Sequence, residues 1–299
     1  MELRHLRYFV AVAEEQNVTR AALRLHVTQP PLTRQIQDLE AELGIALFRR
    51  TGKSIHLTDA GNLFLREARA VLNRAEAAVR NLQSSLQRSQ IELNIGYAPS
   101  PTVEILPKVL RRFNKRNQEV KMTLHDLSSP EMVSGMNDGS LDASFMMKPP
   151  KRLARGLNFV PLKTYPIAVA TSPLHPLAKK RRIEIADILK HPLVGYSRIQ
   201  YPDYHEFLRR IVGTGTYRKL QFAKECDSGM TLIAAIESGK GVAITSSSLG
   251  ATAGKRLVLI PIHPAPSPAV VGLAYPSKNF NPTRALQRLI DSALAVAET

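Results

Sequence analysis

The chain has 299 residues, 44% of them apolar, so it is long enough for two or three domains and apolar enough to build their cores, which excludes a disordered chain. No apolar run approaches the roughly 18 to 20 residues that span a bilayer. The start MELRHLRYFVAVAEE lacks the apolar core and cleavage site of a secretory signal, and the single cysteine, Cys226, permits no internal disulfide, so a cytoplasmic protein with no membrane partner is expected. The net charge of +16 favours polyanions or anionic small molecules. It is spread along the chain, with 13 Lys/Arg against 9 Asp/Glu in residues 1–90 and 28 against 16 in residues 91–299.

The first 57 residues read as three short helices and a hairpin. Residues 3–15 put Leu6, Phe9, Val10 and Ala13 on one face, and residues 18–25 turn Val18, Ala21, Ala22 and Leu25 inward. The stretch TQPPLTRQIQDLEAEL (28–43) opens a third helix. Thr28 is a good N-cap residue, and Pro30 and Pro31 fall in the first turn, where a missing N–H costs nothing. Leu32, Ile36, Leu39 and Leu43 form its apolar stripe, and Gly44 stops it. In FRRTGKSIHLT, Thr51, Gly52 and Lys53 form the turn of a β-hairpin wing.

Residues 58–88 read as one long helix, capped by Thr58 and with Asp59 near its positive end. Phe64, Ala68, Val71, Ala75, Ala78, Leu82 and Leu86 repeat at coiled-coil spacing. Such a seam suits self-association; the alternative is an amphipathic helix packed on its own domain.

From residue 91 strand and helix patterns alternate, which argues for α/β layers with largely parallel sheets. The strands are IELNIGYA, VKMTLHDL, LDASFMM, PLVGY, RKLQFAKE, GVAIT and SPAVVGLAY, and the last helix begins near residue 282. NFVPLKTYPIAVAT (158–171) and IPIHPAPSPAV (260–270) read as two crossovers that divide the segment into lobes of 91–162 plus 268–299 and 163–267.

Two helices, a tight turn and a third helix make a helix-turn-helix, whose second member lies in the DNA major groove with its N-terminal residues on base edges. With the stripe inward, Gln29, Thr33, Arg34 and Gln37 are left outside. Glutamine bonds adenine N6 and N7, arginine grips guanine O6 and N7, and Thr33 suits a base or a phosphate. Arg49, Arg50 and Lys53 on the wing suit phosphates or the minor groove. The alternative is a domain of the same fold that contacts protein.

The run TRAALRLHVTQPPLTRQIQDLEAELGIALFRRTGKSIHLTDAG strongly resembles the LysR-type transcriptional regulators across the whole N-terminal domain. IGYAPS, LPKVLRRF, GSLDASF, HPLA and AAIESGKGVAIT extend the likeness more weakly. ELRHLRYFVAVAEE and QPPL are most similar to the branch that governs aromatic-compound catabolism. The resemblance implies an N-terminal winged helix-turn-helix (1–57), a long linker and dimerisation helix (58–88), and a C-terminal α/β two-lobed periplasmic-binding-protein-like domain. It implies Gln29, Pro30, Pro31, Thr33 and Arg34 as groove readers and Lys53 as the wing contact. Thr33 departs from a commoner serine and keeps the hydroxyl. Arg49 stands where the family's LFER motif has glutamate, which should strengthen non-specific attraction to phosphate.

Ligands in such folds bind between the lobes, near strand C-termini and helix N-termini. One strand delivers Ser100 and Thr102 there and the next Ser128 and Ser129, where hydroxyls and free N–H groups favour an anion or carboxylate. By resemblance, Ser100 and Ser129 match effector-binding positions, and an arginine is common where this chain has Met147. Methionine cannot hold a carboxylate in two bonds. Either Lys148 turns inward, or the effector is less anionic or more apolar, with Met146 or Met147 as an adaptable wall. Tyr196, Ser197, Tyr201, Asp227 and Ser228 are candidates on the second lobe. For each hydroxyl the alternative is helix capping alone.

No histidine or cysteine spacing suits a metal, and GxxxxGK[ST] and GxSxG are absent. No catalytic residue, metal or cofactor is expected, and the chain reads as no enzyme. The basic runs KKRR (179–182) and RRFNKR (111–116) read as solvated faces. The expectation is a sequence-specific DNA-binding transcription regulator modulated by an aromatic or carboxylate-type metabolite. It would act as a homodimer or, by resemblance, a homotetramer on a pseudo-palindromic duplex, with RNA polymerase as a candidate partner.

Overall fold

The computed structural model describes residues 1–51, 54–86, 91–277 and 283–297, with backbone alone for 50, 51, 54, 77 and 80–86. They form an N-terminal and a C-terminal unit that divide near residue 90. The N-terminal unit runs α1 (Leu3–Glu15), α2 (Val18–Arg24), α3 (Gln29–Leu43), β1 (Phe48–Thr51), β2 (Ser54–Leu57) and α4 (Asp59–Leu86). Leu6, Phe9 and Val12 of α1, Ala21 and Ala22 of α2, and Leu32, Ile36 and Leu39 of α3 share one core. Burying each leucine or isoleucine is worth about 1.5–3 kcal/mol, so α3 is not free to turn about its own axis.

Thr28 stands at the N-cap of α3, yet its side chain makes no cap hydrogen bond. A capping side chain accepts from the N–H of the second or third helical residue. Here those are Pro30 and Pro31, which have no N–H. At the other end of α3, Glu40 accepts from the N–H groups of Leu47 at 2.7 Å and Phe48 at 2.9 Å, and so holds the start of the wing. The wing pairs Phe48 with Leu57 and Arg49 with His56. Gly52 and Lys53, expected at its turn, lie outside the described residues.

Thr58 caps α4, accepting from the Gly61 N–H at 2.9 Å and donating to the Ala46 carbonyl at 2.8 Å. Gly61 passes so close to the wing that a Cβ there would lie 2.1 Å from the Leu47 carbonyl oxygen. Phe64 and Ala68 do not belong to a free seam as expected, because both are turned into the N-terminal core. The Phe9 ring draws Phe64 in, at 5.0 Å between centroids. Among the described residues of α4, the large apolar side chains left exposed are Leu63, Val71 and Val79. The side chains of Leu82 and Leu86 lie outside the described residues.

The C-terminal unit begins with β3 (Ile91–Tyr97), α5 (Pro99–Thr102), α6 (Leu106–Asn114), β4 (Val120–Asp126), α7 (Ser129–Asp138), β5 (Ala143–Met147) and β6 (Leu157–Tyr165). It continues with β7 (Ile167–Thr171), α8 (Ile185–Ile188), β8 (Leu193–Tyr196), α9 (Pro202–Val212), α10 (Thr214–Tyr217), β9 (Phe222–Cys226) and α11 (Gly229–Glu237). It ends with β10 (Ala243–Ser246), α12 (Leu249–Ala253), β11 (Val258–Pro261), β12 (Ala269–Pro276) and α13 (Arg284–Ala297). The first lobe is a sheet of order β4-β3-β5-β12-β6. Phe145 and Leu273 face α6 and α13 on one side, and their neighbours Met146 and Ala274 face α7 on the other, as strand alternation requires.

The second lobe holds a sheet β10-β7-β11 and a parallel pair β8-β9. The expectation of largely parallel sheets is corrected. β12 is antiparallel to both its neighbours, and so is β7. Residues 158–171, expected as a crossover, are mostly two strands. β6 closes the first sheet, and β7 is the centre of the second. All five residues of β7 are buried, so the run lacks the alternation that marks a half-exposed strand. Pro166, with no N–H to offer either ladder, sits between them. Among the described residues no helix is long and apolar enough to cross a membrane.

Glu14 of α1 bonds Arg24 of α2 and Arg69 of α4, each at 2.7 Å, and so ties three helices. Burial raises its pKa, but the bonds from Arg69 and Arg24 outweigh that and hold the carboxyl below its ordinary range. Stability from a lowered carboxyl pKa is present above the unfolded value and is lost as pH falls through the folded one. Glu14→Gln is therefore expected to destabilise the protein at neutral pH by no more than about 1 kcal/mol for so exposed a cluster, read as a lowered thermal midpoint. The deficit should vanish once acid protonates the wild-type carboxyl; a deficit that stayed constant with pH would refute the linkage.

Candidate functional site

The outer face of α3 is the first candidate. Gln29, Pro30, Pro31, Arg34 and Gln37 are exposed and Thr33 is half-buried, opposite the stripe that holds the helix to its core. Thr19 of α2 donates to the Gln29 side-chain oxygen at 3.2 Å, which steadies the amide and leaves its NH2 end to point elsewhere. Among the described residues no side chain bonds Arg34 or Gln37. The carboxylates at the far end of α3 are occupied, Glu40 by the wing and Glu42 by the N-terminal ammonium at 2.6 Å. Arg49 is exposed on the wing; of Arg50 only the backbone is described, and Lys53 lies outside the described residues.

The second candidate is a cavity in the C-terminal unit, where the strands of both lobes end. Its lining draws on both lobes, the setting in which small-molecule sites form. Of the residues expected there, Ser100, Ser129, Met147, Lys148, Tyr196 and Tyr201 line it. Four others do not. Thr102 is buried and donates to the Ala98 carbonyl at 2.6 Å. Ser128 bonds Glu131 through both its N–H and its hydroxyl. Asp227 accepts from the Thr231 hydroxyl at 2.8 Å, and Ser228 caps α11. These groups finish helices, so their polar atoms are already satisfied. Met146 packs under α7, on the sheet face away from Met147.

Sequence reasoning missed Asp203, Tyr204, Phe207 and Arg210 of α9 and Thr245, Ser246 and Ser248 at the end of β10 and just beyond it. The serines had a signal, since three hydroxyls follow the end of a strand. The α9 residues had only a Pro-Asp helix start, which is common at any helix.

Tyr196, Tyr201 and Tyr204 form an aromatic wall, with Tyr204 edge-on to Tyr196 at 5.1 Å and Tyr201 tilted against it at 4.9 Å. Burial pushes the Tyr196 hydroxyl up to about 12, against a hydrogen bond with Ser100 that pulls it down. Tyr204 donates to the Ile244 carbonyl at 3.1 Å. Behind the wall, His205 lies between the Tyr217 hydroxyl at 2.8 Å and the Tyr196 carbonyl at 2.7 Å. A carbonyl only accepts, so Nε2 carries the hydrogen. Burial lowers the His205 pKa and favours the neutral ring, in which Nδ1 accepts from Tyr217.

Among the described residues, Asp203 is the acidic residue that lines the cavity. Burial raises its pKa, and nearby Ser129 together with the N–H groups of residues 203 and 204 only partly offsets this. Its Oδ1 is buried and has no hydrogen-bond partner among the described residues. Lys148 and Arg210 also line the cavity but are exposed. Among the described residues no group of three His, Cys, Asp or Glu could hold a metal ion.

Residues 3–62 match the family described as bacterial regulatory helix-turn-helix protein, lysR family, and residues 87–298 match the LysR substrate binding domain. The HTH-type transcriptional regulator AlsR of Bacillus subtilis (strain 168) is 32% identical over 249 residues, 83% of this chain and 81% of its own length. The Hca operon transcriptional activator HcaR of Escherichia coli (strain K12) is 39% identical over 188 residues, 63% of this chain and 62% of its own. The crystal structure of CbnR, a LysR family transcriptional regulator, aligns over 100% of both chains with a TM-score of 0.73 and 25% identity. Full-length CbnR complexed with its target DNA aligns over 99% of this chain and 100% of its own, with a TM-score of 0.70 and 26% identity.

The lobes meet at Gly229, where an added Cβ would fall 2.1 Å from the Ser100 Oγ but 3.3 Å from its Cβ. Gly229→Ala should therefore push the Ser100 hydroxyl away from Tyr196 and cost about 1 kcal/mol. In a Ser100→Ala background the same change should cost markedly less, as a double-mutant cycle of thermal midpoints will show. Equal costs in the two backgrounds would mean that the lobes do not close on this contact.

Proposed function

Because the chain belongs to the LysR family of bacterial helix-turn-helix regulators, we propose that α3 reads an operator in duplex DNA and that the cavity holds the small molecule that sets its activity. The observation that carries this reading is the division of α3 into a buried stripe and an outward face bearing Gln29, Thr33, Arg34 and Gln37. Arg34 is the guanine reader, Gln29 and Gln37 suit adenine, and Pro30 and Pro31 shape the front of the helix. Arg50 and Lys53 of the wing meet the DNA backbone. A structural neighbour solved with its target DNA supports the duplex as partner.

The DNA-binding domain is residues 1–57, and residues 58–88 link it onward and pair two copies, with Leu63, Val71 and Val79 on the pairing side. The lobes divide at Pro166 and between Pro261 and Ala269, a few residues from the sequence-based boundaries. Two dimers form a tetramer on a pseudo-palindromic site in the cytoplasm, with RNA polymerase as a further partner. The effector acts by binding two arrangements of that assembly unequally. The aromatic wall suits a flat apolar body.

Footprinting of the purified protein on the DNA upstream of its own coding region tests the reading. A protected, salt-sensitive site is expected. Arg34→Ala should weaken binding there by about 1–3 kcal/mol and relax the preference at one guanine. A folded Arg34→Ala protein that bound the mapped operator as tightly as the wild type would overturn the assignment.

A further inference from the structure

The basic run at residues 111–116 is more than a solvated face. Val109 and the buried Phe113 seat α6 on the first sheet, and Leu286, Leu289 and Ile290 seat α13 in the same core. A cleft lies between the two helices, lined by Arg112 of α6, Arg116 just beyond it and Arg288 of α13, which is remote from them in sequence. Asn117, only 4% exposed, donates to the Phe113 carbonyl at 2.8 Å and accepts from Arg288 Nη1 at 3.0 Å. Glu119 accepts from the same nitrogen at 2.8 Å. The Arg288 guanidinium is thus held through Nη1, while its Nε and Nη2 have no partner among the described residues. The side chains of Arg112 and Arg116 have none there either. A helix C-terminus attracts cations, which accounts for Arg112 in the last turn of α6. It does not account for a third guanidinium brought in from α13, and like charges four residues apart already repel.

We propose that this cleft binds a small phosphate-bearing anion, whose oxygens accept from Arg112, Arg116 and Arg288. The lining decides the class. Among the described residues no apolar side chain contributes to it, so an aromatic acid has no surface to lie against. Guanidinium forks match the oxygens of a phosphate. Two carboxylates share the cleft, Glu119 held by Arg288 and Asp291 by the Gln287 amide at 2.9 Å. They offset two of the three arginines, so a single carboxylate gains little and a more highly charged phosphate is selected. Asn117 and Glu119 precede β4, whereas Leu127 and Ser129 of the effector cavity follow it. The two sites are therefore at opposite ends of β4, and the inference does not depend on the reading of the cavity.

The test uses the full-length protein and pyrophosphate, in a buffer free of phosphate. Calorimetry should show saturable binding, and the thermal midpoint should rise with it. Arg112→Gln combined with Arg116→Gln breaks no side-chain bond within the protein and should weaken pyrophosphate at least about 10-fold. Arg181→Gln combined with Arg182→Gln removes the same charge from the other basic run and should change the affinity by no more than about twofold, because salt screens distant charges. If pyrophosphate does not bind the wild type, or if the two double variants weaken it equally, the inference is overturned. Displacement of pyrophosphate by an equal concentration of benzoate would overturn the choice of phosphate. Loss of affinity for a random-sequence duplex in the first double variant, with pyrophosphate binding unchanged, would overturn the inference and assign these arginines to the DNA backbone.

Discussion

Leu32, Ile36 and Leu39 are at most 6% exposed, and their burial fixes what the rest of α3 can face. A helix turns about 100° per residue, so Arg34, two positions from both Leu32 and Ile36, is carried about 160° away from them. No further interaction is needed to aim its guanidinium outward. The same stripe brings Glu40 to the wing, and Thr58 then ties the wing to α4. Orientation of the outer face of α3, placement of the wing and the start of the long helix therefore follow from one set of buried contacts.

The C-terminal unit solves a different problem, which is to keep polar walls rigid around a space. Tyr196 shows how. Its ring is held by Tyr201 and Tyr204, its carbonyl by His205, and its hydroxyl reaches Ser100 on the other lobe. Tyr201, Tyr204 and His205 belong to α9 or its N-cap, and Ser100 to α5 of the other lobe, so the wall draws on both lobes. Asp203 is tolerated inside this wall because the start of α9 and Ser129 lend it partial support.

Much of the N-terminal unit was legible because its signals are local. The stripe of α3, the Thr58 cap and the hairpin each depend on residues close in sequence. The heptad pattern of α4 gave a period but no partner, and Phe64 and Ala68 proved to belong to their own core. In the C-terminal unit, Ser100, Ser129, Met147 and Tyr196 were found because they follow strands. Thr102 and Ser128 follow strands too, and only the fold shows that their hydroxyls are already spent. Asp203 and Tyr204 stood out least, since nothing near them in sequence distinguishes an acid and a ring facing a cavity from an ordinary helix start. β7 was hidden because a strand covered on both faces carries no alternation.

The two prolines of α3 have an effect beyond shaping its first turn. Helix N-termini commonly clasp phosphate with bare backbone amides, and here two of the leading amides are replaced by ring carbons. If α3 reads DNA as proposed, its tip meets the duplex with a hydrocarbon wedge in place of an anion clasp, and the grip on phosphate falls to side chains.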